Sequence, residues 1–168
     1  MYQKGDYVVY GMSGPCLVED ITRLSLPGSD GRRKYYVLRP VNSGKSTIYS
    51  PVDNDKVMIR DIVSRNEAEL LLQEIPGIPE VSVENEKLRE EQYKEILKQS
   101  DPRQCIGLLK TLCHKRWIRQ QEGRKFTTVD ERYLREIEAI LSSELAIALE
   151  EDRKDAEKIL WKEIDVYA

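Results

Sequence analysis

Residues 4–24, KGDYVVYGMSGPCLVEDITRL, constrain the fold more than any other stretch. Tyr7, Val8, Val9 and Tyr10 are β-branched or aromatic, and such side chains suit a pleated strand. Gly5-Asp6 precedes them, and Gly11-Met12-Ser13-Gly14-Pro15 follows with turn chemistry. Leu17-Val18 and Ile21 then read as a second strand. The pattern predicts an N-terminal hairpin that opens a small β domain.

The β pattern continues to about residue 60. A loop falls at residues 27–31, a third strand at 34–39, a turn at 41–45 and a fourth strand at 46–50, ended by Pro51. A fifth short strand is placed at 56–59. Short strands with turns between them suggest a small, twisted barrel or sandwich.

At Ser64 the period changes. Ser64-Arg65-Asn66-Glu67 fits a capping box, with Ala68, Leu71, Leu72 and Ile75 at helical spacing behind it. Pro76-Gly77-Ile78-Pro79 breaks that helix. A second helix is expected over 83–98. A third starts at Asp101-Pro102, an N-cap followed by a proline at the first helical position, and ends near Gly123. Its apolar face is Cys105, Leu108, Leu109, Leu112 and Cys113. Thr127 or Thr128 caps a fourth, whose stripe is Leu134, Ile137, Leu141, Leu145 and Ala148. A last helix spans 152–166, with Leu160, Trp161 and Ile164 inward. The fold class is therefore α+β: residues 1–60 form a β domain and residues 61–168 an all-α one.

Composition excludes several classes of function. No run of 18 apolar residues exists to span a membrane, and the N-terminus lacks a signal-peptide core, so a cytoplasmic protein is expected. Cys16, Cys105 and Cys113 are odd in number and lack metal-type spacing, which suits buried, reduced thiols. The net charge of −3 argues against a simple nucleic-acid coat. The charge is uneven, however. Residues 101–129 carry seven Lys or Arg against two acids, whereas 130–168 carry twelve acids against six bases. A basic segment in an acidic chain can make a local phosphate-binding face, or can simply be the solvated side of a helix.

Catalytic chemistry is not evident. Ser43-Gly44-Lys45-Ser46-Thr47 resembles the end of a P-loop, but Arg39 stands where the first glycine is needed and a strand follows instead of a helix. Cys113 and His114 are helix neighbours that do not face each other, and His114 is the only histidine. No catalytic residue, metal site or cofactor is assigned, and the chain reads as a non-enzyme. Trp117 lies among Arg116 and Arg119. It can stack on bases or wedge into a duplex, but tryptophan is usually well buried, which favours a core position under arginine stems.

Lys4-Gly5-Asp6, Val8-Val9-Tyr10, Gly14, Val18-Glu19 and Ile21 together resemble the start of the bacterial CarD/CdnL proteins. The likeness continues in Tyr36-Val37-Leu38, in residues 50–54 and in residues 137–148, and so covers nearly the whole chain. The N-terminal module of that family also occurs in transcription-repair coupling factors, where it binds RNA polymerase. The resemblance implies a transcription regulator built as a two-part clamp. A Tudor-like β module docks on the polymerase β subunit, and a helical domain contacts promoter DNA at the upstream edge of the melted region. There a family tryptophan wedges into the minor groove and slows bubble collapse. Such a regulator would be nucleoid-associated through the polymerase.

Carried over by position, the polymerase-binding residues are Arg23, Leu24, Leu26, Thr47, Ile48 and Tyr49. The family often has arginine where Leu24 and Tyr49 stand here, and Arg23 is one residue away. The wedge position is occupied by Glu86, which phosphates repel. The expected DNA-binding residues are Lys87, Arg89, Lys115, Arg116, Trp117, Arg119, Arg124, Lys125 and Arg132, making weak, non-specific backbone contacts. The alternative is a polymerase-binding adaptor that has lost DNA contact.

Overall fold

The computed structural model describes residues 1–25, 27 and 31–164. The chain divides into two compact units, Met1–Ile62 and Val63–Ala168.

The first unit is a five-stranded antiparallel sheet of order β4-β3-β2-β1-β5. Its strands are β1 (Tyr7–Tyr10), β2 (Pro15–Arg23), β3 (Lys34–Pro40), β4 (Ile48–Pro51) and β5 (Ile59–Asp61). The hairpin of β1 and β2 forms as its turn residues predict, through a short 3-10 turn, Gly11–Ser13. Gly11 is required there: its φ is 47°, and a Cβ would come within 2.8 Å of Val57 Cγ1. A bulge between Val18 and Asp20 shifts the register of β2 against β3. Val8, Cys16, Val18, Tyr36 and Leu38 form the core on one face. Burial pushes the Cys16 thiol up to about 12, so it packs as an inert small hydrophobe.

The fifth strand differs from the expectation at 56–59. The Asn54 carboxamide accepts the backbone N–H groups of Lys56 and Val57, at 3.0 and 3.2 Å. Those donors are thereby removed from any ladder, and pairing begins only at Ile59. The fourth strand starts two residues late for a similar reason, because Ser46 N–H closes the turn onto Ser43 O.

The second unit holds α1 (Arg65–Glu74), α2 (Arg89–Gln99), α3 (Pro102–Gln121), α4 (Thr128–Leu149) and α5 (Arg153–Ile164). Both halves of the Ser64/Glu67 capping box form. Asp101 caps α3 and Thr127 caps α4. The core runs through Leu71, Ile75, Tyr93, Leu97, Ile106, Leu108, Leu109, Leu112, Ile137, Leu141 and Leu160. Cys105 and Cys113 are buried thiols outside any disulfide among the described residues.

The helix expected over 83–98 is shorter than its pattern. Residues 78–85 run as an extended strap along α3 instead. The Lys110 ammonium donates to the carbonyls of Ile75 and Ile78, at 2.9 and 2.6 Å. The Thr111 hydroxyl donates to Val81 O, and Val81 N–H donates to Gly107 O. Ile78 O and the backbone groups of Val81 are thus satisfied by α3, and Ser82 O by Gln92 of α2, in place of helical bonds. Gly107 permits this approach, since a Cβ there would stand 2.8 Å from Pro79 O. A 3-10 turn, Glu86–Leu88, capped by Asn85, then leads into α2.

Candidate functional site

Strand β4 has one neighbour, β3, and lies at an edge of the sheet. Val52 N–H donates to Lys34 O, so Val52, Ser50 and Ile48 turn their backbone groups toward β3. By the two-residue alternation of a strand, Thr47 and Tyr49 present theirs outward. The following outward position is Pro51, which has no N–H to offer. The edge is thus short and ends on a residue that cannot extend it. The Tyr49 side chain is 52% exposed, and Tyr7 is 43% exposed. Ile48 turns inward toward the sheet core. Ser50 is buried with a hydroxyl that finds no partner among the described residues.

The residues expected at the polymerase contact separate in the structure. Thr47, Ile48 and Tyr49 are on or beside the edge strand. Arg23 is exposed at the far end of the β2–β3 ladder, opposite Lys34, and Leu24 follows it, half-buried. One strand, β3, separates Arg23 from the β4 edge. Leu26 lies outside the described residues.

In the helical unit, a buried carboxylate gathers several of the expected DNA-facing cations. Asp130 is nearly inaccessible at the first turn of α4. It accepts from Arg89 Nε at 3.0 Å and Tyr93 Oη at 3.0 Å, and Lys115 Nζ stands 3.5 Å away. Burial pushes its carboxyl up, but hydrogen bonds from Arg89 and Thr127 prevail and hold it below the usual range. Burial, with the Asp130 charge, drives the Tyr93 phenol up. Lys115 also donates to Glu86 at 2.9 Å and to Tyr93 Oη at 3.2 Å. Arg132 is paired with Glu90 at 2.6 Å and stacks on the Tyr133 ring. Arg89, Lys115 and Arg132 are therefore held by acids of their own unit. Glu86, at the wedge position, is exposed and bound to Lys115.

The remaining expected cations lie mostly around the end of α3. Arg116 stands over the Trp161 ring, 5.8 Å from its centroid. Arg119 donates to Lys125 O at 3.1 Å, closing the turn after the helix. Arg124 pairs with Glu122, both well exposed. Lys125 is exposed, as is Lys87 at the foot of α2. The Trp117 core position is corrected: the indole is 39% exposed and Ile118 likewise. The α3 stripe is covered through Cys113, but every residue from 114 to 121 is at least partly exposed. The helix overhangs its neighbours, and the preference of tryptophan for burial yields to that geometry. His114 Nδ1 meets Glu80 at 3.0 Å, away from the Cys113 stripe. Sequence reasoning overlooked Asp130, whose only signal is its place three residues after the Thr127 cap.

Among the described residues, no group of three or more His, Cys, Asp or Glu could hold a metal ion, and no helix is long and apolar enough to cross a membrane. Residues 2–63 match the family model described as the CarD-like/TRCF RID domain, a span that coincides with the sheet unit. The N-terminal unit is therefore a CarD-like module of the kind that interacts with RNA polymerase.

Proposed function

We propose that this protein is a non-enzymatic transcription regulator that docks on the β subunit of RNA polymerase through β4 and acts on the promoter open complex through its helical unit. The observation that carries the docking is the unpaired β4 edge, with Thr47 and Tyr49 backbone groups outward and the Tyr49 ring exposed, inside a polymerase-interacting module. An exposed edge adds to a partner's sheet through main-chain bonds, which tolerates the replacement of the family's arginines by Leu24 and Tyr49. On this reading the helical unit stabilises the melted promoter by weak backbone contacts from Arg116, Arg119, Arg124 and Lys125, with Trp117 available to stack.

A second reading, a polymerase-bound adaptor without DNA contact, is favoured by one observation: Arg89, Lys115 and Arg132 are already neutralised by Asp130, Glu86 and Glu90. Thr47→Pro removes an outward donor without touching the bonds to β3. It should abolish capture of the isolated β-subunit lobe while the helical circular dichroism stays unchanged. Full retention of the lobe would move the interface away from β4. Open-complex lifetime then separates the two readings, since Arg119→Glu with Arg124→Glu shortens it only if this unit touches DNA.

A further inference from the structure

The strongest cationic feature outside the site described above is on α5. Lys154, Lys158 and Lys162 recur every four residues, which places them on one face of the helix. At 1.5 Å rise per residue their Cα atoms step about 6 Å along the axis, about 12 Å end to end. All three are exposed. None has a hydrogen-bond or ion-pair partner among the described residues, unlike most of the cations of α2 and α4. Together with Glu157 and Trp161 they line an open groove of about 630 Å³. Trp161 is half-buried, and the Arg116 guanidinium of α3 lies over its ring. The groove thus has an aromatic wall and three lysines beside Glu157; Glu138 adjoins Glu157 and Trp161, and the Arg116 guanidinium lies over the ring. Arg116 joins the groove to the cations at the end of α3.

From this geometry we infer that the α5 lysine face with Trp161 and Arg116 is a binding site for the phosphodiester backbone of duplex DNA. It rests on the reading that the helical unit works beside promoter DNA, and adds a second, larger contact to it. Phosphate is favoured over a carboxylate-bearing peptide by the side chains themselves. Lysine acts on phosphate as a point charge, whereas planar bidentate capture of carboxylates is the habit of arginine, and the one arginine here is stacked on the ring. One strand of a duplex carries a charge about every 3.4 Å of axis, so a 12 Å row of ammoniums faces about three or four phosphates.

The test is fluorescence anisotropy of a labelled duplex of arbitrary sequence, titrated with the full chain over a series of low salt concentrations, with labelled polyglutamate as the second probe. One variant carries Lys154→Gln, Lys158→Gln and Lys162→Gln; another carries Arg119→Gln, Arg124→Gln and Lys125→Gln. The changed side chains of α5 are exposed, so thermal unfolding should match the parent. At about 0.9 per phosphate contact, the slope of log affinity against log salt should fall by about 2.7 in the lysine variant. An unchanged slope there, with loss in the arginine variant, overturns the α5 site and leaves the proposed function standing. Binding of polyglutamate but not duplex, lost in the lysine variant, makes the partner an acidic protein segment and overturns the inference. Failure of the parent to bind duplex at the lowest salt overturns both this site and the DNA part of the proposed function, while docking on the β-subunit lobe is judged separately.

Discussion

Asp130→Asn removes one charge from the interior of the helical unit and keeps the shape. In the parent, the carboxylate takes hydrogen bonds from Arg89 and Tyr93 and faces Lys115. Deleting one partner of a buried ion pair costs about 3–5 kcal/mol, because the other charge stays buried and uncompensated. Arg89 and Lys115 each retain about a fifth of their side-chain exposure, and Lys115 keeps Glu86. Those facts place the loss at the lower end, about 3 kcal/mol. Urea unfolding followed by helical circular dichroism measures it, since the helices belong to this unit. The pH dependence carries the sign. The folded carboxyl is held below its ordinary value, so its stabilisation is present above the unfolded aspartate pKa of about 3.9 and is lost as pH falls through the folded value. The gap between parent and variant should stay level around neutrality and close only in acid below about pH 4. A loss under about 0.5 kcal/mol, the range of an ordinary surface change, would refute the view that Asp130 organises these cations. So would a gap that widens as the solution is acidified.

Gly107→Ala sets helix propensity, worth about 1 kcal/mol in favour of alanine, against a Cβ placed 2.8 Å from Pro79 O. The clash with backbone should win, with a net destabilisation of about 1–2 kcal/mol and faster amide exchange at Val81. Ser50→Ala deletes a buried hydroxyl with no partner among the described residues and should stabilise the sheet unit by about 1 kcal/mol, read as slower amide exchange in β3. Fragments cut at the boundary between residues 62 and 63 should fold separately, one giving a β and the other a helical circular dichroism spectrum; if neither does, the two compact units depend on each other for stability.

Local chemistry accounts for the parts legible in advance. Ser64 and Glu67, Asp101 and Pro102, and Thr127 are caps whose partners lie within three residues, so the starts of α1, α3 and α4 could be read from order alone. The hairpin of β1 and β2 rests on a turn of five residues and was legible for the same reason. The α3 and α4 stripes follow from helical spacing. The expected DNA-binding residues were chosen by charge and position, and neither reveals which cations already have acids beside them. Arg89 and Asp130 are 41 residues apart, Lys115 and Glu86 are 29, and Arg132 and Glu90 are 42. Only packing brings those pairs together, and it turns three expected DNA contacts into internal ion pairs. The late start of α2 was not legible either: a helix was expected from residue 83, whereas the stretch at 78–85 runs along α3, which offers Gly107, Lys110 and Thr111 to the backbone at Ile78 and Val81. Trp117 was set by the length of α3 relative to the helices that cover it, a property of the assembled unit. The sequence by itself determined the order of strands and helices and most of the helix caps, because those depend on neighbours along the chain. The tertiary structure decided which charges are spent internally and which face water, because that depends on neighbours in space.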